Sequence, residues 1–405
     1  MIDRAALAAS AAEISRLDVA GLAAALVRVP SHPGIDRQEE AAARALAEWL
    51  ERQGLTAKLE EAVPGRPNVL AAVAGERAGR HLLLCGHTDT VPLNAGEPGF
   101  GFAGEVVDGV LRGRGSVDMK GPLAAMAVAA VALSRSSGFT GRLTLAAVVD
   151  EEMESLGAEK LVRDGFATDG AIVGEPTMNR VALGHRGLEW LVVEFVGRAA
   201  HGGTPQAGVN AISAAAQFVG QVERQLVPRL GLRAHPLLGP PTLNFGRVQG
   251  GDQPSTVAAR CHLALDRRSV PGETYETILA ELEEVATEVR RMRPGLTTRV
   301  DRVPGGMATL EHVGFVTAAD HPLAAAAFAA RAAVVGDPGS GVAFPAWTDG
   351  ALLSHFAGIP TIVLGPGDLS LAHGPRESVP VADLEQAARI YVATALAFCD
   401  PASSS

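Results

Sequence analysis

The chain has 405 residues and a formal net charge of -10 at pH 7, and 47% of its residues are hydrophobic while 20% are charged. This composition is typical of a folded globular protein rather than a disordered one, and the length favours two domains. Nucleic-acid binding would need a basic face, so the acidic balance without a Lys/Arg cluster argues against nucleic acid as a partner.

The N-terminal stretch MIDRAALAASAAEISRLD carries acidic residues where a signal peptide needs a basic start followed by an apolar run. No apolar run approaches about 20 residues, so neither export nor a membrane partner is expected. The three cysteines, Cys85, Cys261 and Cys399, are far apart and lack metal-ligand spacing, which is typical of free thiols. These features predict a cytoplasmic protein.

Helices and strands alternate in the first part of the chain. Apolar residues at helical spacing predict helices over residues 18–30, 36–54 and 118–133. Short β-rich runs predict strands over residues 68–75, 81–89 and 142–152. This alternation predicts an α/β fold with a mostly parallel sheet flanked by helices.

The order of the predicted elements changes after residue 184. Strand, helix, strand, strand, helix and strand follow one another in the stretches 188–197, 208–226, 242–251, 256–268, 273–292 and 296–303. This βαββαβ order predicts a ferredoxin-like unit of the usual size of one domain. The alternation resumes from Pro322, so we expect a main domain of residues 1–184 and 304–405, interrupted by an inserted domain of residues 185–303.

Three carboxylates follow directly after one predicted strand. In LTLAAVVDEEMESLGAEKL, the apolar run ends in Asp150, Glu151 and Glu152, and no Lys or Arg follows before Lys160. A carboxylate at the end of a buried strand is costly unless a cation neutralises it, and a divalent metal supplies more local charge than any side chain. The alternative is that these acids begin an exposed helix and interact with its N-terminal dipole.

Other polar residues lie at the ends of further predicted strands. His87 and Asp89 in CGHTD are two apart, so their side chains point the same way, whether toward a metal or toward solvent. Asp118 in GRGSVDMKG is either a helix cap or a carboxylate that bridges two ions. Glu175 in GEPT ends another strand, and His373 lies in a Gly/Pro-rich loop after a strand. Such strand ends are the expected place for a site in an α/β sheet.

These motifs carry a resemblance to a known family. The set GHTDTVP, GRGSVDMKG, DEEMESLGA, GEPT and GPGDLSLAHGPRE, in that order, resembles the dizinc hydrolases that include acetylornithine deacetylase, succinyl-diaminopimelate desuccinylase, aminoacylase and glutamate carboxypeptidase. The resemblance covers residues from about 20 to 395, including the inserted domain. It implies a zinc-exopeptidase-like main domain and an inserted lid or dimerisation domain.

The resemblance implies a ligand set for two zinc ions, with Co²⁺ or Mn²⁺ as possible substitutes. It assigns His87 and Glu175 to one ion, Glu152 and His373 to the other, and Asp118 to both. It also implies a cis peptide bond after Asp118. Two metal ions about 3.5 to 4 Å apart share a water, lower its pKa and polarise the substrate carbonyl.

Two further carboxylates receive roles from the resemblance. Asp89 would orient His87, since a carboxylate on the second ring nitrogen fixes the tautomer of a metal-binding histidine. Glu151 would be the general base, because an unligated carboxylate next to the metals takes the proton of the attacking water and returns it to the leaving amine.

The inserted domain also resembles its counterpart in the family. By that resemblance, His201 in GRAAHGG reaches the partner subunit's site and stabilises the oxyanion, and the protein is a homodimer joined through the lid. Asn244 and Arg268 fall where the family binds the substrate carboxylate, and the Arg fork suits that task. The alternatives are a solvent-exposed loop histidine and two surface residues of a lid sheet.

The chain departs from the family pattern in two places. Ser255 and Ala258 stand in PSTVAAR where the family usually has Asn-x-x-Pro, so lid contacts to the substrate are expected to differ. Trp347 precedes the TDG of residues 348–350, where relatives often have small residues. This Trp either forms an aromatic pocket wall or packs in the core.

The sequence therefore predicts a zinc-dependent hydrolase that cleaves the amide bond of an N-acyl amino acid, or of a small peptide-like substrate with a free carboxylate. GRGSVDMKG and GEPT favour a deacetylase or desuccinylase. A dipeptidase or glutamate-type carboxypeptidase is the alternative within the family. A non-catalytic dimeric binding module is the alternative of another class, although such a module has no need of an unligated base at Glu151.

Overall fold

The computed structural model describes residues 4–96, 99–304 and 310–400, and these residues form eleven α-helices and sixteen strands. The helices are α1 (Arg4–Arg16), α2 (Val19–Val27), α3 (Glu40–Arg52), α4 (Lys120–Ser134), α5 (Leu156–Arg163), α6 (Ala211–Gln221), α7 (Val227–Gly231), α8 (Tyr275–Met292), α9 (Pro322–Val335), α10 (Gly350–His355) and α11 (Val381–Cys399). The strands are β1 (Ala57–Val63), β2 (Arg66–Ala74), β3 (Arg77–His87), β4 (Glu105–Val107), β5 (Val110–Arg112), β6 (Thr140–Val148), β7 (Gly170–Val173), β8 (Ala182–His185), β9 (Gly187–Val196), β10 (Thr242–Gly250), β11 (Arg260–Ser269), β12 (Thr297–Arg302), β13 (Phe315–Val316), β14 (Val342–Phe344), β15 (Thr361–Val363) and β16 (Ser378–Pro380).

The chain divides into two compact units, with boundaries at His185/Arg186 and at Phe315/Val316. The first unit contains the parts of the chain before and after these boundaries, and the second unit contains the part between them. Among the described residues, no helix combines the length and the apolar character needed to cross a bilayer.

The first unit is built on a mostly parallel sheet with the strand order β1-β2-β6-β3-β7-β15-β8, and β14 also pairs with β8. The three neighbours β6, β3 and β7 run parallel, with His87 opposite Val148 and Cys85 opposite Val173. Their carboxyl ends therefore lie at one edge of the sheet. This confirms the predicted mostly parallel sheet, and it brings together the polar residues that follow each strand.

Helices bury the faces of this sheet. In α4, every residue from Lys120 to Leu133 is buried, as expected for an Ala-rich helix that packs on all sides. It lies against α2 and α11. All three cysteines are free, as predicted, and all three are buried.

The second unit has the predicted βαββαβ order, and its four-stranded antiparallel sheet has the order β10-β11-β9-β12. Leu191, Val193 and Phe195 alternate along β9 and are buried in the core of this unit together with residues of α6 and α8. The helix predicted over residues 208–226 is divided, because a π-helical turn at Val222–Leu226 separates α6 from α7. Strand β10 forms one edge of the sheet.

Candidate metal centre

The candidate centre lies at the edge of the first unit's sheet where β3, β6 and β7 end. His87 is the last residue of β3, Glu151 and Glu152 occupy the turn after β6, and Glu175 follows β7 by two residues. Each apolar strand is buried, and the chain becomes polar only where it leaves the sheet. This position explains why charged side chains follow directly after apolar segments in the sequence.

Two groups of potential ligands share Asp118. His87, Asp118 and Glu175 form one group, and Asp118, Glu152 and His373 form the other, with the ligand atoms of each group within 4.8 Å of one another. Asp118 directs Oδ1 to His87 Nε2 at 3.0 Å and Oδ2 to His373 Nε2 at 3.2 Å. His87 Nε2 lies 3.6 Å from Glu175 Oε1, and His373 Nε2 lies 3.2 Å from Glu152 Oε1. The structure therefore brings all five predicted ligands together.

Asp118 is not a helix cap. Helix α4 begins at Lys120, its N-cap residue is Met119, and no side chain caps it. The Asp118 carboxylate instead faces the two histidines. The peptide bond between Asp118 and Met119 is cis, which confirms the prediction made from the resemblance.

Asp89 has two sets of contacts. Its Oδ1 lies 3.4 Å from His87 Nδ1, on the side of the ring opposite Asp118. The backbone carbonyl of Asp89 also lies 3.1 Å from Nδ1, and because a carbonyl only accepts, Nδ1 carries a proton and Nε2 is the nitrogen placed to face a metal. In addition, the backbone N–H groups of Glu151 and Glu152 donate to the Asp89 carboxylate at 3.2 and 3.0 Å. Asp89 therefore also holds the turn that carries both glutamates.

Glu151 and Glu152 diverge from one another. Glu152 belongs to the group with His373, whereas Glu151 belongs to neither group and lies with Oε2 3.9 Å from His87 Nε2. The Glu151 side chain is 12% exposed. The alternative of an exposed helix beginning at these acids is wrong, because α5 begins at Leu156 and the acids lie in the preceding turn.

Burial and the neighbouring charges shift the pKa values of the side chains in the centre. Burial, and next the charge of Asp118, raises the pKa of Glu152 and raises that of Glu175 well above its ordinary value. Hydrogen bonds to Asp118 and Glu152 raise the pKa of His373 to about 10. Burial alone would lower the pKa of His87, but neighbouring aspartates raise it well above its ordinary value. Metal ligation requires these protons to leave.

The donor set fits a pair of divalent ions. Glu175 Oε1 is buried and has no hydrogen-bond partner, an arrangement that is costly unless a cation meets the oxygen. Within the described ranges, four carboxylates of the centre form ion pairs with histidine alone, namely those of Asp118, Glu151, Glu152 and Glu175. Carboxylate oxygens and imidazole nitrogens are ligands that suit Zn²⁺, and Co²⁺ and Mn²⁺ accept the same donors.

Zinc is expected to stabilise the folded chain, because a ligand that binds only the native state adds its binding free energy to that of folding. At a free Zn²⁺ concentration 100 times the Kd, each site would add about 2.7 kcal/mol to the free energy of unfolding. Differential scanning calorimetry with added Zn²⁺ or with EDTA measures this shift. Asp118→Asn, which changes the residue shared by both groups, should abolish most of it. Equal melting temperatures with zinc and with EDTA would contradict the assignment.

Sequence reasoning missed three buried residues near the centre. Arg114 and Glu377 form an ion pair beneath it, with Arg114 Nη1 2.5 Å from Glu377 Oε2. Both lie inside quoted motifs, GRGSVDMKG and HGPRE, where their opposite charges were the available signal. Asp349 is also buried, and burial raises its pKa to about 7. Its place in TDG gave no comparable signal.

His201 lies in the second unit and is exposed. The backbone N–H of Gly203 donates to its Nδ1 at 3.0 Å. Gly202 lies against the backbone of Ser255, since a Cβ at this position would be 2.9 Å from the Ser255 carbonyl carbon. The glycine at 202 is therefore required by packing within its own unit.

The two predicted substrate-binding residues lie on neighbouring strands of the second unit. Asn244 on β10 is opposite Asp266 on β11. Arg268 donates from Nε and Nη2 to the two Asp266 oxygens at 2.8 and 3.0 Å, and Trp190 Nε1 also donates to Asp266. The guanidinium is thus held in a defined orientation while 25% of the side chain stays exposed.

Trp347 is a packed residue of the first unit. Its side chain is 8% exposed, and its ring meets that of His185 edge to face at 6.0 Å between centroids. The core-packing interpretation of this departure from the family pattern therefore fits the structure better than a pocket wall.

Comparison with known sequences supports the resemblance. The chain matches the family described as peptidase family M20/M25/M40 over residues 83–397. It is 31% identical over 364 residues to the acetylornithine deacetylase of Proteus mirabilis (strain HI4320), with 86% of this chain and 88% of that protein covered. The resemblance inferred from the motifs is thereby confirmed.

Solved structures share the fold. The aminopeptidase PepT of Bacillus cereus matches with a TM-score of 0.75 at 22% identity, covering 93% of this chain and 97% of that one. The YXEP protein of Bacillus subtilis, a dinuclear metal binding peptidase, matches with a TM-score of 0.69 at 16% identity, covering 95% and 98%. These likenesses confirm the predicted fold class.

Proposed function

The chain belongs to peptidase family M20/M25/M40 and is a metal-dependent hydrolase, and from that premise we propose that it removes the acyl group from an N-acyl amino acid by hydrolysing the amide bond. The observation that carries this proposal is the pair of ligand groups that share Asp118 beside the unligated Glu151. A non-catalytic module could bind metal through the two groups, but it would have no use for the Glu151 carboxylate held beside them.

The proposed ligands of two zinc ions are divided between the two groups. His87, Asp118 and Glu175 would hold one ion, and Asp118, Glu152 and His373 would hold the other. Asp89 orients His87 through Nδ1. When bound, the ions polarise the substrate carbonyl and lower the pKa of the attacking water.

Glu151 moves the proton in this proposal. Its carboxylate accepts a proton from the water as the oxygen attacks the amide carbon, and the tetrahedral centre forms. The same carboxyl then donates that proton to the amide nitrogen as the carbon–nitrogen bond breaks. The carboxylic acid that forms passes its remaining proton to the amine, so a carboxylate and an ammonium group leave, and Glu151 returns to its starting state.

Residues of the second unit supply the remaining roles. Arg268 suits a substrate carboxylate because Asp266 occupies one edge of its guanidinium, leaving the other donors for a bidentate partner. Asn244, exposed beside the same strand, is an additional donor for that carboxylate. His201 is the proposed oxyanion donor, acting on the site of a partner subunit.

A substrate panel tests the proposed function. The zinc-loaded protein is incubated with N-acetyl, N-succinyl and N-formyl amino acids and with dipeptides, and the released amine is measured. The proposal expects the highest kcat/KM for an N-acyl amino acid with a free carboxylate, and a large loss when that carboxylate is amidated. Preference for dipeptides would favour the peptidase alternative, and no turnover of any substrate would contradict the proposal.

A homodimer through the second unit is the proposed assembly. Strand β10 is an edge strand with Val248 65% exposed. A cavity of about 510 Å³ beside it is lined mostly by apolar residues, including Ile212, Phe245 and Leu263, together with Arg247. An edge strand presents unpaired N–H and C=O groups, and pairing with a second β10 in antiparallel fashion satisfies them around a twofold axis.

Val248→Asp is expected to convert the dimer to a monomer, because it replaces an exposed apolar side chain of this edge strand by a charge that the interface would bury. Light scattering after size-exclusion chromatography measures the mass. Met292→Asp is the matched control, since Met292 is 55% exposed in the same unit and ends α8, which packs against β12 at the opposite edge of the sheet. A dimer that survives Val248→Asp at micromolar concentration would exclude this interface.

A further inference from the structure

Glu377 is a buried glutamate that contacts the turn carrying Asp118. Its Oε1 accepts the backbone N–H groups of Gly115, Val117 and Asp118 at 2.9, 3.0 and 3.2 Å. The side chain is 1% exposed. One carboxylate oxygen therefore fixes three backbone groups of the Asp118 turn, which we define as residues 113–119.

Arg114 connects Glu377 to the backbone of His373, the histidine of the second candidate ligand group. Its Nη1 donates to Glu377 Oε2 at 2.5 Å, and its Nη2 donates to the backbone carbonyl of His373 at 2.8 Å. Asn94 Nδ2 donates to the same carbonyl at 3.1 Å. The guanidinium is thus anchored at both ends inside the protein, where its side chain is 2% exposed.

His373 needs such support because its backbone has a φ of 61°. This left-handed conformation is unfavourable for residues other than glycine, and it persists only where the surroundings fix it. Two donors on its carbonyl supply that constraint. The side chain of His373 then reaches Asp118 and Glu152 from an otherwise exposed loop.

We propose that Arg114 and Glu377 are positioning residues that hold Asp118 and His373 in the arrangement needed for metal binding. This inference rests on the proposed function, since it concerns the group formed by Asp118, Glu152 and His373. The pair does not touch the ligating atoms. It acts through the backbone of the Asp118 turn and through the His373 carbonyl. Outer contacts of this kind orient the ligating side chains and thereby tune their affinity for the metal.

A purely structural ion pair would stabilise the fold without selecting one ligand group. The contacts of this pair are more specific, because among the described residues the side-chain hydrogen bonds of both charged ends go to the Asp118 turn, to His373 or to each other. Loss of the pair should therefore lower the zinc affinity of the group that contains both Asp118 and His373 more than that of the group of His87, Asp118 and Glu175.

The test is zinc binding to Glu377→Gln. The amide side chain keeps the size of Glu, but if its oxygen still accepts the backbone N–H groups, its NH₂ faces Arg114 donor to donor. We expect the zinc affinity of the group of Asp118, Glu152 and His373 to fall by about 10 to 100-fold. Zinc is titrated against a chromogenic chelator at equilibrium, and bound metal is counted by mass spectrometry. His373→Ala identifies the binding step that belongs to this group.

A matched control separates positioning from stability. Glu189 in the second unit forms a comparable ion pair with Arg302 at 2.8 Å, and its side chain is 4% exposed. Glu189→Gln should lower the melting temperature and leave both zinc affinities unchanged. If Glu377→Gln does not fold, Arg114→Lys replaces it, because Lys keeps the charge but lacks the fork that meets Glu377 and His373 together.

The outcomes distinguish this inference from the proposed function. A wild-type chain that binds two zinc ions, with Glu377→Gln or Arg114→Lys binding both at wild-type affinity, would overturn the positioning role alone. Equal loss of affinity at both steps, or an equal loss in Glu189→Gln, would also overturn it. A wild-type chain that binds no zinc would overturn the proposed function and this inference together.

Discussion

Glu151→Gln is expected to lower kcat by about 10²- to 10⁴-fold while both zinc ions remain bound. The reason is that Glu151 belongs to neither ligand group, yet its Oε2 lies 3.9 Å from His87 Nε2. Burial, and next the charge of Glu175, raises its pKa well above the ordinary value, so this carboxylate accepts a proton more readily than an exposed one. Gln retains the size of the side chain but cannot accept a proton.

The measurement combines steady-state kinetics with metal analysis of the same preparation. Glu154→Gln is the matched control, because Glu154 lies in the same turn but takes part in neither candidate group. It should keep nearly full activity. Loss of one zinc from Glu151→Gln would mean that Glu151 and Glu152 have exchanged roles. Full activity with both ions present would show that another group moves the proton.

The main sheet could be predicted because its strands are short apolar runs that end abruptly in polar residues. The run before Asp150 became β6, and the run before His87 became β3, and these two strands are neighbours. Strands β4, β5 and β16 could not be predicted, because each has three residues and is too short to show alternation. Helix α1 was missed for a related reason, since alanines dominate it and leave little contrast between its faces.

The candidate ligands were found because strand ends carry them, whereas the contacts that support them join distant parts of the chain. Arg114 and Glu377 are 263 residues apart, and Asp89 and Glu152 are 63 residues apart. No local spacing reports such pairs. These pairs depend on the tertiary fold, because a buried charge is stable only next to a hydrogen-bonding or oppositely charged group, which can come from any part of the chain.

The local geometry of His201 suits a hydrogen-bond donor. The backbone N–H of Gly203 donates to Nδ1 at 3.0 Å, so in the neutral ring Nδ1 is the acceptor and Nε2 carries the proton. The residue is exposed, which leaves Nε2 available. If this donor stabilises the oxyanion, His201→Ala should lower kcat by about 10²- to 10³-fold.

A subunit-mixing experiment is expected to show that His201 acts on the site of the partner subunit. Glu151→Ala and His201→Ala are each expected to lose nearly all activity alone, and random exchange makes half of the dimers mixed. In a mixed dimer, the Glu151 of one chain and the His201 of the other are both wild type at one of the two sites. Activity should therefore return to about a quarter of the wild-type value.

The same mixture tests the opposite arrangement. If His201 served its own chain, each site of a mixed dimer would lack either Glu151 or His201, and no activity would return. Exchange is confirmed by native mass spectrometry of differently tagged chains, so that a failure to mix is not mistaken for this result. Val248→Asp introduced into both chains supplies a further control. If it keeps the chains monomeric, no partner subunit supplies His201, and the restored activity should be lost.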